Sequence, residues 1–184
     1  LPTFLSEAGG MSESQAGLWA ALAFPAVGLA GGALGGFLMS ATGMRKPILS
    51  AGQLLKLAGI LLLTLGMDLS VWAGIAGAAV FGLGNGMWMP VMYAMPMEME
   101  GMTPSRVGAA FALISSCGFA AGFVSPVLGG WLTTALSAAY GGGDPVLGHA
   151  FGLKWSLFAF GFTNLLSFFI SLLLRDTAPA GRDR

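Results

Sequence analysis

Lys56 stands inside LLKLAGILLLTLG, with no other charge between Lys46 and Asp68. A cation held that deep in an apolar segment is costly, about 2.5 to 3.5 kcal/mol if the segment crosses a bilayer. On a helix its neighbours three and four residues away are Gly52, Gln53, Gly59 and Ile60, while Leu54, Leu55, Ala58, Leu61, Leu62 and Leu65 lie on the other side. Lys56 therefore belongs to a small and polar stripe that should face protein or water. There it can act as counter-charge for an anionic solute or exchange a proton. The alternatives are a structural lysine paired with another part of the protein, or one that snorkels to the head groups.

Asn85 is the second candidate, in GLGNGMWMP. Helical spacing puts Ala78, Phe81, Asn85, Trp88, Met89 and Met92 on one face. One amide, two aromatics and adaptable methionines suit the lining of a site for a small organic solute. The alternative is an interhelical hydrogen bond from Asn85 with ordinary core around it. The remaining polar residues read more simply. Ser115, Ser116 and Cys117 can bond the carbonyl one turn back. Asn164 is expected to join helices, Lys154 to snorkel, and Glu98 and Glu100 to sit in a solvated turn. His149 falls in or next to a loop, with proton coupling as its functional alternative.

Other chemistries are missing. There is no G-x-S-G serine with an intramembrane histidine and no H-E-x-x-H pair, as intramembrane proteases would need. The single cysteine, Cys117, allows neither an internal disulfide nor a cysteine metal cluster, and no cofactor or metal is expected. Eight basic residues balance eight acidic ones, so no basic face invites nucleic acid.

The elements that must position these residues are set by composition. The 184-residue chain is 55% hydrophobic and 9% charged, with a mean hydropathy of +0.80. Soluble domains carry about 25% charged residues, so the lipid bilayer is the expected solvent. At about 20 apolar residues per crossing, five spans are expected, near residues 14–39, 48–67, 71–95, 105–136 and 151–174. The breaks carry turn chemistry at Ala41-Thr42-Gly43, Asp68, Glu98 to Thr103, and Gly141 to Pro145. Ser12-Glu13-Ser14-Gln15 is a capping-box pattern, and Thr103-Pro104 pairs an N-cap with a first-turn proline. Trp72, Trp131 and Trp155 fall near span ends, as an aromatic belt predicts.

Alternating crossings place Arg45, Lys46, Arg106, Arg175, Arg182 and Arg184 on one side, expected to be cytoplasmic. The N-terminus is then outside, and residues 175–184 form a cytoplasmic tail. Residues 1–12 read as the end of a preceding helix and a periplasmic loop, so the chain is expected to be a fragment. Gly28, Gly32 and Gly36, Gly31 with Gly35, Gly82 with Gly86, and Gly118 with Gly122 recur every four residues, a spacing that lets helix backbones approach. Pro25, Pro90 and Pro126 are candidate kinks.

Gly36-Phe37-Leu38-Met39-Ser40-Ala41-Thr42-Gly43-Met44-Arg45-Lys46 resembles the G-x-L-x-D-R-x-G-R-R/K loop of the major facilitator superfamily. Gly36, Leu38, Gly43, Arg45 and Lys46 fit; Ser40 replaces the acid, and Ala41 and Met44 replace arginines. Gly118-Phe119-Ala120-Ala121-Gly122, Pro126, Gly129-Gly130 and Trp131 look like the penultimate helix of such transporters. The resemblance implies an all-α polytopic helix bundle, half of a twelve-helix fold, running from the end of helix 7 through helix 12. It implies a secondary transporter of the inner membrane, symporter or antiporter, rather than an enzyme. Its partners would be the missing N-terminal six-helix half, a small-molecule substrate (organic or inorganic anion) and protons. It further implies that the helix of Asn85 lines the cavity, that the helix of Lys56 is peripheral, and that the cationic loop takes part in conformational change. A non-transporting scaffold or partner subunit with the same fold is the alternative.

Overall fold

The computed structural model describes residues 1–140 and 144–174, and every described element is a helix. Gly141 to Gly143, Arg175 and the tail with Arg182 and Arg184 lie outside the described residues. A short α1 (Pro2–Glu7) precedes α2 (Glu13–Ala21), which passes through a π-helical turn at Leu22–Ala26 into α3 (Val27–Thr42). Then come α4 (Lys46–Gly66), α5 (Val71–Glu98), α6 (Pro104–Ala138) and α7 (Pro145–Leu173). Five stretches are long and apolar enough to cross a membrane, α2 through α3 counting as one of 30 residues.

Local chemistry sets the ends. Ser12 caps α2 by accepting from the Gln15 N–H at 3.4 Å, and its side-chain partner is the Ser14 hydroxyl rather than the Gln15 amide. Pro25 sits in the π turn, where i→i+5 bonding needs no N–H from it and an inserted residue relieves the ring clash. Gly43 ends α3 in the left-handed region at φ 73°, with its N–H on the Met39 carbonyl. Asp144 caps α7, so that span begins at Pro145, six residues before the position expected from hydropathy. Glycine and turn residues depress a hydropathy window without ending a helix.

The spans form a fan in the order α3, α5, α4, α7, α6, each packed mainly on its neighbours in that order. Lipid tails are as apolar as leucine, so contact between such helices rests on close packing rather than on expelling water. α5 shows how. On one side, a Cβ at Gly77 would run into the backbone of Leu63 on α4, and one at Gly84 would come within 2.6 Å of the Gly52 carbonyl. On the other side, Gly86 is pressed against the Gly28 carbonyl of α3. Two apolar cores result. One gathers Phe4, Leu5, Ala20, Ile60, Leu63 and Ala78, and the other Ile48, Leu49, Met87 and Val91. The middle of α4 and α5 lies between them.

α6 is different. Of its 35 residues only Thr133 is buried, and Cβ atoms at Gly108, Gly118, Gly122 and Gly130 would meet nothing within 4 Å. Gly118 and Gly122 have no close neighbour among the described residues. Gly129 is in contact, since its Cβ would lie 3.5 Å from the Phe160 ring, and Pro126 lines the same groove.

Candidate functional site

Between the two cores, α4 and α5 bring three of the expected residues together. The missing side chains at Gly52 and Gly84 let Trp88 lie against α4, its Cβ 3.1 Å from where a Gly52 Cβ would be. The Lys56 ammonium sits 4.7 Å from the centroid of the Trp88 ring. This is cation–π geometry, worth about 0.5 to 2 kcal/mol depending on desolvation. The Trp88 indole N–H in turn donates to the Asn85 side-chain oxygen at 3.3 Å. Lys56 is 7% exposed. Among the described residues the ion pairs are Arg45–Glu98, His149–Glu7 and Lys154–Asp68, and Lys56 is in none of them. Gln53, one turn away and 6% exposed, has its side-chain carbonyl buried without a hydrogen-bond partner.

Phe81 belongs to a neighbouring space. It stacks on Phe24 of the π turn with centroids 5.5 Å apart. Both line a half-open apolar pocket of about 330 Å³ that they share with Leu1, with Ile60 and Leu63 of α4 and with Leu157, Phe160 and Asn164 of α7. Asn164 donates to the Gly161 carbonyl of its own helix at 3.2 Å and faces this cavity, where the sequence suggested a bond between helices. Met89 is exposed and Met92 half-buried; neither lines the cavity. The expected face of α5 is thus divided among a cation cluster, an apolar cavity and an outward strip.

The cationic loop is a junction. Arg45, 8% exposed, grips both oxygens of Glu98, Nε to Oε2 at 2.8 Å and Nη2 to Oε1 at 2.6 Å, while Nη1 donates to the Met39 carbonyl at 2.9 Å. A planar guanidinium suits such a fork, and lysine would not replace it. One side chain thereby joins the ends of α3 and α5. Lys46 donates to the Leu172 carbonyl at 2.6 Å, adding α7. Glu98 is therefore not a simply solvated turn residue. Ser40 donates to the Phe37 carbonyl, and the carboxylate facing Arg45 comes from α5. Gly36 meets nothing within 4 Å, whereas Gly43 makes the turn.

The opposite end carries two further pairs. His149 lies in the second turn of α7, not in a loop, and contacts Glu7 of α1 at 2.5 Å. Lys154 pairs with Asp68 of the α4–α5 turn rather than reaching alone for head groups. Phe24, Asn164, Glu98 and the two outer pairs were not singled out as joint features by sequence reasoning. Their partners lie far apart in the chain, and helical spacing carries no signal for that.

Five apolar spans folded around buried glycine contacts, with a charged turn at one end and a lysine held in mid-bundle, define a multi-pass membrane protein. A family model described as Major Facilitator Superfamily matches residues 1–184. The chain belongs to that superfamily, whose members are transporters rather than enzymes. Neither the curated proteins nor the solved structures provide a match.

Proposed function

We propose that this chain belongs to the C-terminal six-helix half of a secondary active transporter. It would move a small solute, with an organic or inorganic anion as the candidate class, by alternating access between two helix bundles. The observation that carries the reading is Lys56, buried between α4 and α5 over Trp88 and in none of the ion pairs among the described residues. A cation kept inside a bundle at a cost of a few kcal/mol is a functional position by default. Asn85, fixed by Trp88, adds an amide beside it. Protons are the candidate coupling ion. Arg45, Lys46 and Arg106 favour a cytoplasmic α3–α4 turn in the inner membrane, with residue 1 outside.

The test is uptake by the full-length transporter in proteoliposomes, using labelled anions, neutral solutes and cations of similar size. Lys56→Gln should lower uptake of the anion that wild type carries by about 10- to 100-fold, the equivalent of about 1.5 to 3 kcal/mol for a hydrogen bond to a charged group. Lys56→Arg should retain part of the activity. Wild-type uptake by Lys56→Gln would remove the counter-charge role.

A further inference from the structure

Buried polar side chains on α4 are mostly answered by a partner. Ser50 pairs with Ser171 of α7 at 2.9 Å, and Thr64 donates to the Ile60 carbonyl of its own helix at 2.8 Å. Gln53 is different. Its carbonyl is the one buried side-chain polar atom without a hydrogen-bond partner among the described residues. The oxygen has almost no exposed surface, so neither lipid nor a further helix can reach it without displacing what covers it. A group sealed in this way has to be satisfied from within, and such orphans are uncommon enough to need a cause.

Matching chemistry stands three residues away on the same helix. Lys56 has three N–H donors and no acceptor, whereas the Gln53 carbonyl is an acceptor without a donor. Residues three apart on a helix are neighbours, and both side chains are long enough to meet. Among the described residues Lys56 makes no ion pair and no hydrogen bond. Its ammonium lies instead over the Trp88 ring. The ring belongs to α5 and the carbonyl to α4, so the two partners within reach of the ammonium are carried by different helices. A carboxylate at position 53 would hold the ammonium against the ring in every state, while a neutral amide leaves it exchangeable.

Resting on the reading of Lys56 as a transport residue, we propose that Gln53 is its positioning residue, whose carbonyl receives the ammonium when α5 draws Trp88 away. The cation then passes from ring to amide without losing every partner, and it stays inside the bundle on α4 in both states.

The test uses the full-length protein carrying isotope-labelled tryptophan, with Trp88→Phe identifying the Trp88 indole N–H signal in magnetic resonance. Lys56→Gln gives the signal of a ring without a cation. Gln53→Glu should move the wild-type signal most of the way to that position, and should add nothing in the Lys56→Gln background. Gln53→Leu, which removes the carbonyl, should lower the maximal uptake rate severalfold with KM within about twofold of wild type. Its unfolding midpoint should stay level or rise, because an orphaned polar group leaves the interior. A Trp88 signal unmoved by Gln53→Glu, or moved equally in the Lys56→Gln background, would overturn the positioning role. Wild-type uptake by Gln53→Leu would do the same and leave Gln53 a packing residue. The signal needs no transported solute. If it answers to Gln53→Glu while Lys56→Gln transports normally, the counter-charge reading falls and the contact stands. If uptake depends on Lys56 and the signal ignores Gln53, this inference alone falls.

Discussion

Lys56, Trp88 and Asn85 act as one unit, because the ammonium rests on the ring and the ring nitrogen bonds the amide. Removing the ring should therefore displace the cation, and the losses should not add. We expect Trp88→Leu to lower uptake about tenfold, Asn85→Ala less, and the Trp88→Leu/Lys56→Gln double substitution to be no worse than Lys56→Gln alone, at unchanged membrane abundance. Multiplying losses in that cycle would show that the residues work separately. Half of this unit was legible in the sequence. Spacing alone put Lys56 on a polar stripe and Asn85 beside Trp88, since both follow from the helical repeat. That the two stripes face each other depends on α4 and α5 meeting antiparallel at Gly52 and Gly84, and periodicity says nothing about which helix lies opposite.

Arg45 and Glu98 show the same division, separated by 53 residues in the chain and joined by two bonds in space. Replacing Glu98 by Gln keeps the shape and removes the charge from a pair that is mostly shielded from solvent. The expected cost is about 1.5 to 3 kcal/mol, read as a lowered unfolding midpoint of the purified protein. An unchanged midpoint would mean that the charge of Glu98 is not what holds Arg45 in place.

At the scale of the element, the five spans and the α3 turn could be read directly, because hydropathy and a left-handed glycine are local properties. Which glycine stripe is used could not. The four-residue spacing occurs equally in α3, α5 and α6, yet only the first two are pressed against a neighbour. A Cβ at Gly59 would run into the backbone of Phe81, which has no rotamer with which to yield, whereas one at Gly118 would meet open space. Gly59→Ala should cost about 1 to 3 kcal/mol, the usual penalty of overpacking. It should also loosen the Lys56–Trp88 contact, since the same helix pair carries it. Gly118→Ala in this half-bundle should be neutral or slightly stabilising, alanine being the better helix former by roughly 0.8 to 1 kcal/mol. Thermal unfolding of the two variants in detergent compares them, and equal midpoints would refute the close α4–α5 contact at Gly59.

For the whole molecule, the fan leaves α6 at its edge, touching mainly α7, with Phe119, Phe123, Val127 and Trp131 all outward. Lipid can cover aromatic and aliphatic side chains without loss, but it gains nothing from a bare glycine surface, which serves close contact with a second backbone. The α6 surface around Gly118 and Gly122 is thus better suited to another helix than to lipid. In a two-bundle transporter that helix would belong to the first half, and the contact would have to slide as the bundles rock. A bulky side chain should then discriminate between states of assembly. Gly122→Leu should leave the stability of residues 1–184 expressed alone within about 0.5 kcal/mol, as for surface substitutions away from special features. In the full-length protein the same change should cut transport severalfold while the protein still reaches the membrane. If Gly122→Leu transported normally at full length, the α6 face would be lipid-facing throughout the cycle. Rocking would then have to run over α3 and α5 instead, where most of the glycines, Gly36 excepted, are already committed to packing among these helices.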